Sequence, residues 1–180
     1  IRCQNNGNLA VNEIMGQYRM GGIVGSLYGT DAKVLYCENY GNVDGYFQTG
    51  GIAGAMQYGA EILSCCNYGN LSGKWYIGGI VGRIAKAGTN SDGSTKESIV
   101  RDVYSLGEIT SGDRYGGGIA GEVGYEDGDE QDNPSMPVIE NAYSTSQIPT
   151  VEYRAAIISH FKSGNMGYAY GLRVDGDGLN

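Results

Sequence analysis

Apolar residues along the chain come in short alternating runs, such as "AKVLYCENY" (32–40) and "EILSCCNYG" (61–69), with glycine between them every few positions. Alternation over a handful of residues, rich in Val, Ile and Tyr and bounded by glycine, predicts short β-strands joined by tight turns. Helices are disfavoured, because each interior glycine costs about 1 kcal/mol relative to alanine.

The runs repeat. Five segments align on a small residue: Cys3 before "QNNGNL", Cys37 before "ENYGNV", Cys65 before "CNYGNL", Val103 before "YSLGEI" and Ala142 before "YSTSQI". A second motif follows each: "GGIVG" from Gly21, "GGIAG" from Gly50, "GGIVG" from Gly78, "GGIAG" from Gly117 and a worn "AAIIS" from Ala155. Two motifs in fixed order, recurring every few dozen residues, mark a repeat architecture. Each unit reads as one coil of two or three strands that stacks on the next at about 4.8 Å. The predicted fold is all-β: a β-solenoid, parallel β-helix-like, of about five rungs over residues 1–160. Polar, turn-rich insertions at about 86–98 and 125–137 are expected to bulge from coil corners, and 161–180 reads as a C-terminal cap or tail.

Alternation then assigns faces. The column Cys3, Cys37, Cys65, Val103, Ala142 is predicted to point inward, and Gln4, Glu38, Cys66, Tyr104, Tyr143 outward. The three aligned cysteines read as buried free thiols acting as small hydrophobes; disulfides between neighbouring rungs are the alternative. Cys65 and Cys66 face opposite ways and form no metal motif. Asn8, Asn42 and Asn70 each follow a glycine, which predicts a turn with positive φ and an amide ladder along the axis. The double glycine before Ile23, Ile52, Ile80 and Ile119 predicts a tight bend or a close backbone approach.

"CENYGNVDGYFQTGGIAG" (37–54) and "CNYGNLSGKWYIGGIVG" (66–82) resemble GLUG-motif repeats. The resemblance covers about 1–160 and fades after Ala142, where Ser144 to Gln147 lack the Gly-Asn pair. GLUG repeats occur in secreted and cell-surface bacterial proteins, including adhesin-like proteins and some immunoglobulin A1-cleaving metallopeptidases. The resemblance implies an extracellular β-rich module with no catalytic role of its own.

Composition narrows the partners. Glycine is 32 of 180 residues, about 18%, and tyrosine is 15; glycine is usually near 7%. The excess of tyrosine suits strands with one wet face. The net charge is −8 with no basic cluster, which argues against nucleic acid and against a polybasic membrane contact. No apolar run approaches the roughly 18 residues of a membrane span. The chain opens at Ile1 in mid-motif, which reads as part of a longer polypeptide.

Candidate chemistry is sparse. His160, the one histidine, lies outside the regular motifs, and no HExxH occurs. The glycine motifs lack the following helix of a dinucleotide site. Glu126, Asp127, Asp129, Glu130 and Asp132 crowd one insertion, and Asp92 and Glu97 lie in the other. The acidic loop reads as solvated, with weak calcium binding through Asp127, Asp129 and Asp132 as the alternative. The tail "VDGDGLN" resembles secreted calcium repeats, with Asp175 and Asp177 as oxygen donors, or else is a linker. Calcium is therefore the one cofactor suggested. Tyr18, Phe47 and Trp75 share the position five before the repeat isoleucine, and Tyr76, Tyr115 and Tyr153 share the next. An outward aromatic column either stacks on sugars and anchors proteins or shields the wet face.

The expected function is a non-catalytic structural or adhesive module of a secreted or surface-anchored protein, a stalk offering loops and aromatics to host or cell-wall glycans or proteins. An accessory domain of a secreted peptidase or glycan-active enzyme is the alternative. A polysaccharide lyase, using Asp127 or Asp129, comes third.

Overall fold

A computed structural model describes residues 2–11, 18–85, 87–110, 114–124, 137–149, 153–161, 165–166 and 169–171. Among them the chain is all-β, with no helix and no closed barrel. Four sheets are parallel throughout, and one short hairpin, Gly88–Thr89 with Thr95–Lys96, is antiparallel.

Each parallel sheet gathers equivalent strands from successive repeats. The series Arg19–Gly21, Gln48–Gly50, Tyr76–Gly78, Tyr115–Gly117, Tyr153–Ala155 makes one sheet. Val24–Tyr28, Ala53–Gln57, Val81–Ala85, Ala120–Val123 and Ile158–Phe161 make a second, and Leu9–Ala10, Val43–Asp44, Leu71–Ser72 and Ile109–Thr110 a third. The largest holds nine strands, among them Glu38–Asn39, Cys66–Asn67, Ile99–Ser105 and Val138–Ser144. Register follows the sequence motifs: Glu38 pairs with Cys66 and Cys66 with Tyr104, which sets Cys37 and Cys65 in neighbouring layers. Pairing continues past residue 160, with Ala142 and Tyr143 opposite Ala169 and Tyr170.

Two apolar clusters run through the stack. The larger joins Val34, Cys37, Ile52, Met56, Ile62, Cys65, Ile80 and their equivalents; the smaller joins Val43, Leu71, Ile77 and Ile109. In a straight strand, residues three apart face opposite sides. Yet Val34 and Cys37 share one core, as do Ile62 and Cys65, Val100 and Val103, and Ile139 and Ala142. The reversal comes from one left-handed residue in each repeat: Tyr36, Ser64, Asp102 and Asn141 have φ of 55°, 54°, 55° and 50°. Such non-glycine corners cost about 1–3 kcal/mol each and persist only when the surroundings fix them.

The chain crosses between the two clusters at two motifs, and these meet at a waist. The first Asn of "NYGN" is wholly buried there. Asn5 Nδ2 donates to Asn39 Oδ1 at 2.8 Å, Asn39 Nδ2 to Asn67 Oδ1 at 2.7 Å, and Asn67 Nδ2 to Ser105 Oγ at 3.3 Å. The second amide hydrogen of Asn39 goes to Gly41 O at 2.8 Å, and that of Asn67 to Gly69 O at 2.9 Å. The second glycine of each "GG" faces this ladder. A Cβ on Gly51 would lie 2.3 Å from Asn67 Cγ, and one on Gly79 2.4 Å from Ser105 Oγ.

Two expectations need correction. Gly41 and Gly69 are not in the left-handed region; they are glycines because a Cβ there would sit 2.0 Å from the carbonyl oxygen of the equivalent glycine one layer before. The amide ladder runs through Asn5, Asn39 and Asn67, three residues ahead of the column expected to form it. Asn8, Asn42 and Asn70 do link layers, but through side chain to backbone: Asn42 N donates to Asn8 Oδ1 at 2.9 Å and Asn70 N to Asn42 Oδ1 at 3.0 Å.

The waist yields a direct test. Gly79→Ala should lose at least the roughly 1–3 kcal/mol of an overpacked core. Gly7→Ala, whose methyl would find nothing nearer than 3.7 Å, should change stability by less than about 0.5 kcal/mol. Urea unfolding of the two variants compares them; equal midpoints would refute the waist.

Candidate functional site

The strand series from Arg19–Gly21 to Tyr153–Ala155 turns Ile77 into the smaller apolar cluster, so Tyr76, Tyr115 and Tyr153 lie on the opposite side of the sheet, in a column that begins at Arg19 and the buried Gln48. Register sets Tyr76 opposite Tyr115 and Tyr115 opposite Tyr153. Their rings stack, with centroids 5.4 Å apart at 3° and 5.3 Å apart at 28°. One residue earlier, Phe47 and Trp75 stack at 5.5 Å, and Phe47 also meets Tyr76 edge-on at 5.6 Å. Tyr18 N-terminally and Tyr153 C-terminally are the exposed ends, at 43% and 51%. Five of the six aromatics singled out in the sequence, Phe47, Trp75, Tyr76, Tyr115 and Tyr153, thus meet ring to ring, and Tyr18 precedes them in register with Phe47. The two columns form a single contiguous strip.

Stacking decides what this strip can do. Layers about 4.8 Å apart press like rings against like, so inner ring faces are taken by their neighbours. Trp75 has Phe47 on one side and the Arg114 guanidinium 4.5 Å from its ring centre. A sugar stacking on an aromatic needs an open face, and inner members of the strip offer edges instead. Lys74 lies over Tyr46 at 5.4 Å and Arg19 over Tyr28 at 5.5 Å.

Beneath the strip, Arg83 and Glu122 are in register, both buried, with Nε 2.8 Å from Oε2 as an ion pair rather than an aligned hydrogen bond. Arg83 also sits 5.9 Å from the Tyr76 ring centre. Arg83 follows "GGIVG" and Glu122 follows "GGIAG" at the same repeat position, so the motif alignment already pairs them; what the sequence does not show is that both are buried.

The insertion at 86–98 does not bulge freely. It folds back as the hairpin, turning at Asn90–Gly93, where Gly93 N donates to Asn90 O at 3.0 Å. Two hydrogen bonds from Ser94 hold the Asp92 carboxyl below its ordinary value. The hairpin is pinned by Glu61, a nearly buried carboxylate bound by Lys33 at 2.9 Å and Lys96 at 2.8 Å. Burial alone would raise the Glu61 carboxyl, but hydrogen bonds and charge from Lys96 and Lys33 outweigh it and hold it below its usual range.

The cysteines are all free. Cys37 and Cys65 are buried as expected, with Cys37 N donating to Cys65 Sγ at 3.4 Å. Cys3 departs from the expectation of three buried thiols: it belongs to the first described layer and is exposed. Cys66 lies in the outward column yet is buried, because Tyr104 of the next layer reaches it. That hydrogen bond, then one from Tyr68, raises the Tyr104 phenol above its ordinary value. Burial pushes the Cys37 thiol up, and the Cys65 thiol up to about 12.

Asp127, Asp129, Asp132, Asp175 and Asp177, the candidate calcium ligands, lie outside the described residues, and so do Glu126 and Glu130. His160 is placed by its backbone alone, in register with Glu122. Among the described residues no three His, Cys, Asp or Glu side chains gather as a metal site. Arg2, Tyr36, Glu38 and Ser64 line a shallow depression of about 460 Å³, with Arg2 and Glu38 3.6 Å apart.

Two measurements probe these groups. The thiolate is the reactive form, so a thiol reagent at pH 8 should label Cys3 at once and Cys37, Cys65 and Cys66 only on unfolding; rapid labelling of Cys65 would contradict its burial. The Glu61 carboxyl is lower folded than its unfolded value near about 4.3. Its clamp is therefore complete above that pH and is lost as pH falls through the folded value. Amides at 88–96 should be protected from hydrogen exchange at pH 6 and lose that protection in acid, after correction for intrinsic rates. Lys96→Met should lose it at both.

Comparison with protein-family models finds no match for this chain, and comparisons with curated proteins and with solved structures find none either.

Proposed function

We propose that this chain is a non-catalytic β-solenoid module of a secreted or surface-anchored protein, working as a stalk that presents its aromatic strip and pinned hairpin to glycan or protein partners. One observation carries the reading. In all four parallel sheets, residues at equivalent motif positions pair across successive repeats, as Gly21, Gly50, Gly78 and Gly117 do. A chain that meets only its neighbouring copies is quasi-one-dimensional, and its stability is a sum over layers and interfaces. Such a body suits separation and display. The buried thiols fit an oxidising exterior, since a thiol held at about 12 is almost never a thiolate at neutral pH.

Two experiments test the proposal. Excising residues 37–64 joins Tyr36 to Cys65 and removes one whole layer in register; the product should keep its strand circular dichroism and unfold cooperatively. Removing 37–50, half a layer, should abolish folding. If both deletions unfold the protein alike, the layered reading fails. For the display role, the full chain is screened on arrays of glycans and extracellular proteins, and bound glycans are weighed by mass spectrometry after overnight contact. Retention with unchanged mass is expected. Cleavage would overturn the non-catalytic reading, and no retention would overturn the adhesive one.

A further inference from the structure

We propose that Cys3 and Cys37 are a disulfide-forming pair, oxidised by low-molecular-weight disulfides in the medium so as to staple the first described layer to the second. Nothing in this pairing depends on what the module binds. Gln4 lies opposite Glu38, and Glu38 N donates to Cys3 O at 3.0 Å, so Cys3 and Cys37 are neighbours across one layer step. Their thiols also share a hydrogen bond. Neighbouring strands hold Cα atoms about 4.8 Å apart, inside the roughly 4.4–6.8 Å that disulfides span. The Cβ atoms must approach to about 3.8 Å, which asks one strand to shift. Gln4–Asn5 can do so: it is two residues long and, among the described residues, pairs only with Glu38–Asn39.

The same column holds a second neighbouring pair, Cys37 and Cys65, but both are buried and the strands after them are hydrogen-bonded on both sides. A reagent in solution therefore meets Cys3 first, the one exposed thiol. The Cys3 thiolate attacks one sulfur of oxidised glutathione, breaking its S–S bond and releasing one glutathione thiolate. The Cys37 thiolate then attacks Cys3 Sγ from the buried side, and the second glutathione thiolate leaves toward solvent. Two protein thiols lose two electrons, the glutathione disulfide gains them, and the two protons pass to the released thiolates. Burial pushes the Cys37 thiol up, which makes the second step the slower one. A staple matters most at this layer. Leu9 is 37% exposed, whereas its equivalents Val43, Leu71 and Ile109 are fully enclosed, so the first described layer has the least burial to hold it.

The test incubates the full, reduced chain with oxidised glutathione at pH 8, then blocks the remaining thiols and maps them by mass spectrometry after denaturation. Of the four free thiols, Cys3 and Cys37 should be lost to one disulfide, with the mass lower by two hydrogens, while Cys65 and Cys66 stay free. Cys37→Ala, which gives this position the residue its column already carries at Ala142, should stop at a glutathione adduct on Cys3. Cys3→Ser should take up nothing. Amides at 19–28 should exchange roughly tenfold or more slowly after oxidation, because closing so long a loop restricts the opened layer. Four thiols still free, a glutathione adduct on Cys3 of the unaltered protein that persists overnight, a dimer joined through Cys3, or a bond from Cys37 to Cys65 would each overturn the pairing. Unchanged exchange at 19–28 with the disulfide formed would overturn the staple.

Discussion

The structure depends on a contact between an absent side chain and a buried amide. At the waist, the second glycine of "GG" leaves room for the Asn or Ser of the next layer, and a single methyl on Gly51 or Gly79 would overlap it. Asn39 and Asn67 are completely buried, a burial that is costly unless every hydrogen bond is made. Here both amide hydrogens and the oxygen of Asn39 are used. Asparagine fits because its short side chain reaches its own layer's glycine carbonyl and the next layer's amide together. Where the ladder passes to Ser105, the hydroxyl continues to Ser146 at 3.0 Å.

This waist fixes register, and register fixes the rest. A slip of one residue would turn every side chain to the other face and would also break the amide ladder. The apolar clusters on either side give most of the burial, since Ile52, Ile80, Ile119 and Ile77 are wholly enclosed, but apolar contact tolerates sliding. The polar ladder does not. The left-handed corners at Tyr36, Ser64, Asp102 and Asn141 follow from the same constraint: they allow Val34 and Cys37 to enter one core within a short arc, and the layers around them hold the strained backbone.

Much of this was legible in the sequence. The fifteen-residue spacing from Cys37 to Ile52 recurs from Cys65 to Ile80, and that coincidence alone predicts β-layers in register. Cys37, Cys65, Val103 and Ala142 fell on the inner side as alternation predicts. Three things were not legible, each for a physical reason. The Asn column was misassigned because both asparagines of "NYGN" repeat equally, and only burial tells the amide ladder from the backbone link. The corner residues Tyr36, Ser64, Asp102 and Asn141 share no chemistry, so a backbone conformation conserved along the column left no residue-type signature. The repeat step of 28 residues sets Lys33 opposite Glu61, but Lys96, the second arm of the Glu61 clamp, sits in an insertion that no period in the sequence reaches.

The abundance of tyrosine now has a cause. A side chain on the outside of a layered sheet has its own equivalent about 4.8 Å above and below. Like charges at that distance repel, and among the described residues no charge meets its like at a paired strand position: Lys33 faces Glu61, Arg83 faces Glu122, and Arg101 faces Glu140. Charges must alternate in sign or give way to neutral residues. Tyrosine can be repeated without penalty, because its ring stacks on a copy of itself while its hydroxyl stays wet, as at Tyr40 and Tyr68, 4.5 Å apart and nearly parallel. Phenylalanine would stack as well but leave its edge apolar toward water, and it occurs only twice. The outer face is therefore tyrosine-rich for the reason the waist is glycine-rich: each column admits only what tolerates its own copy next door.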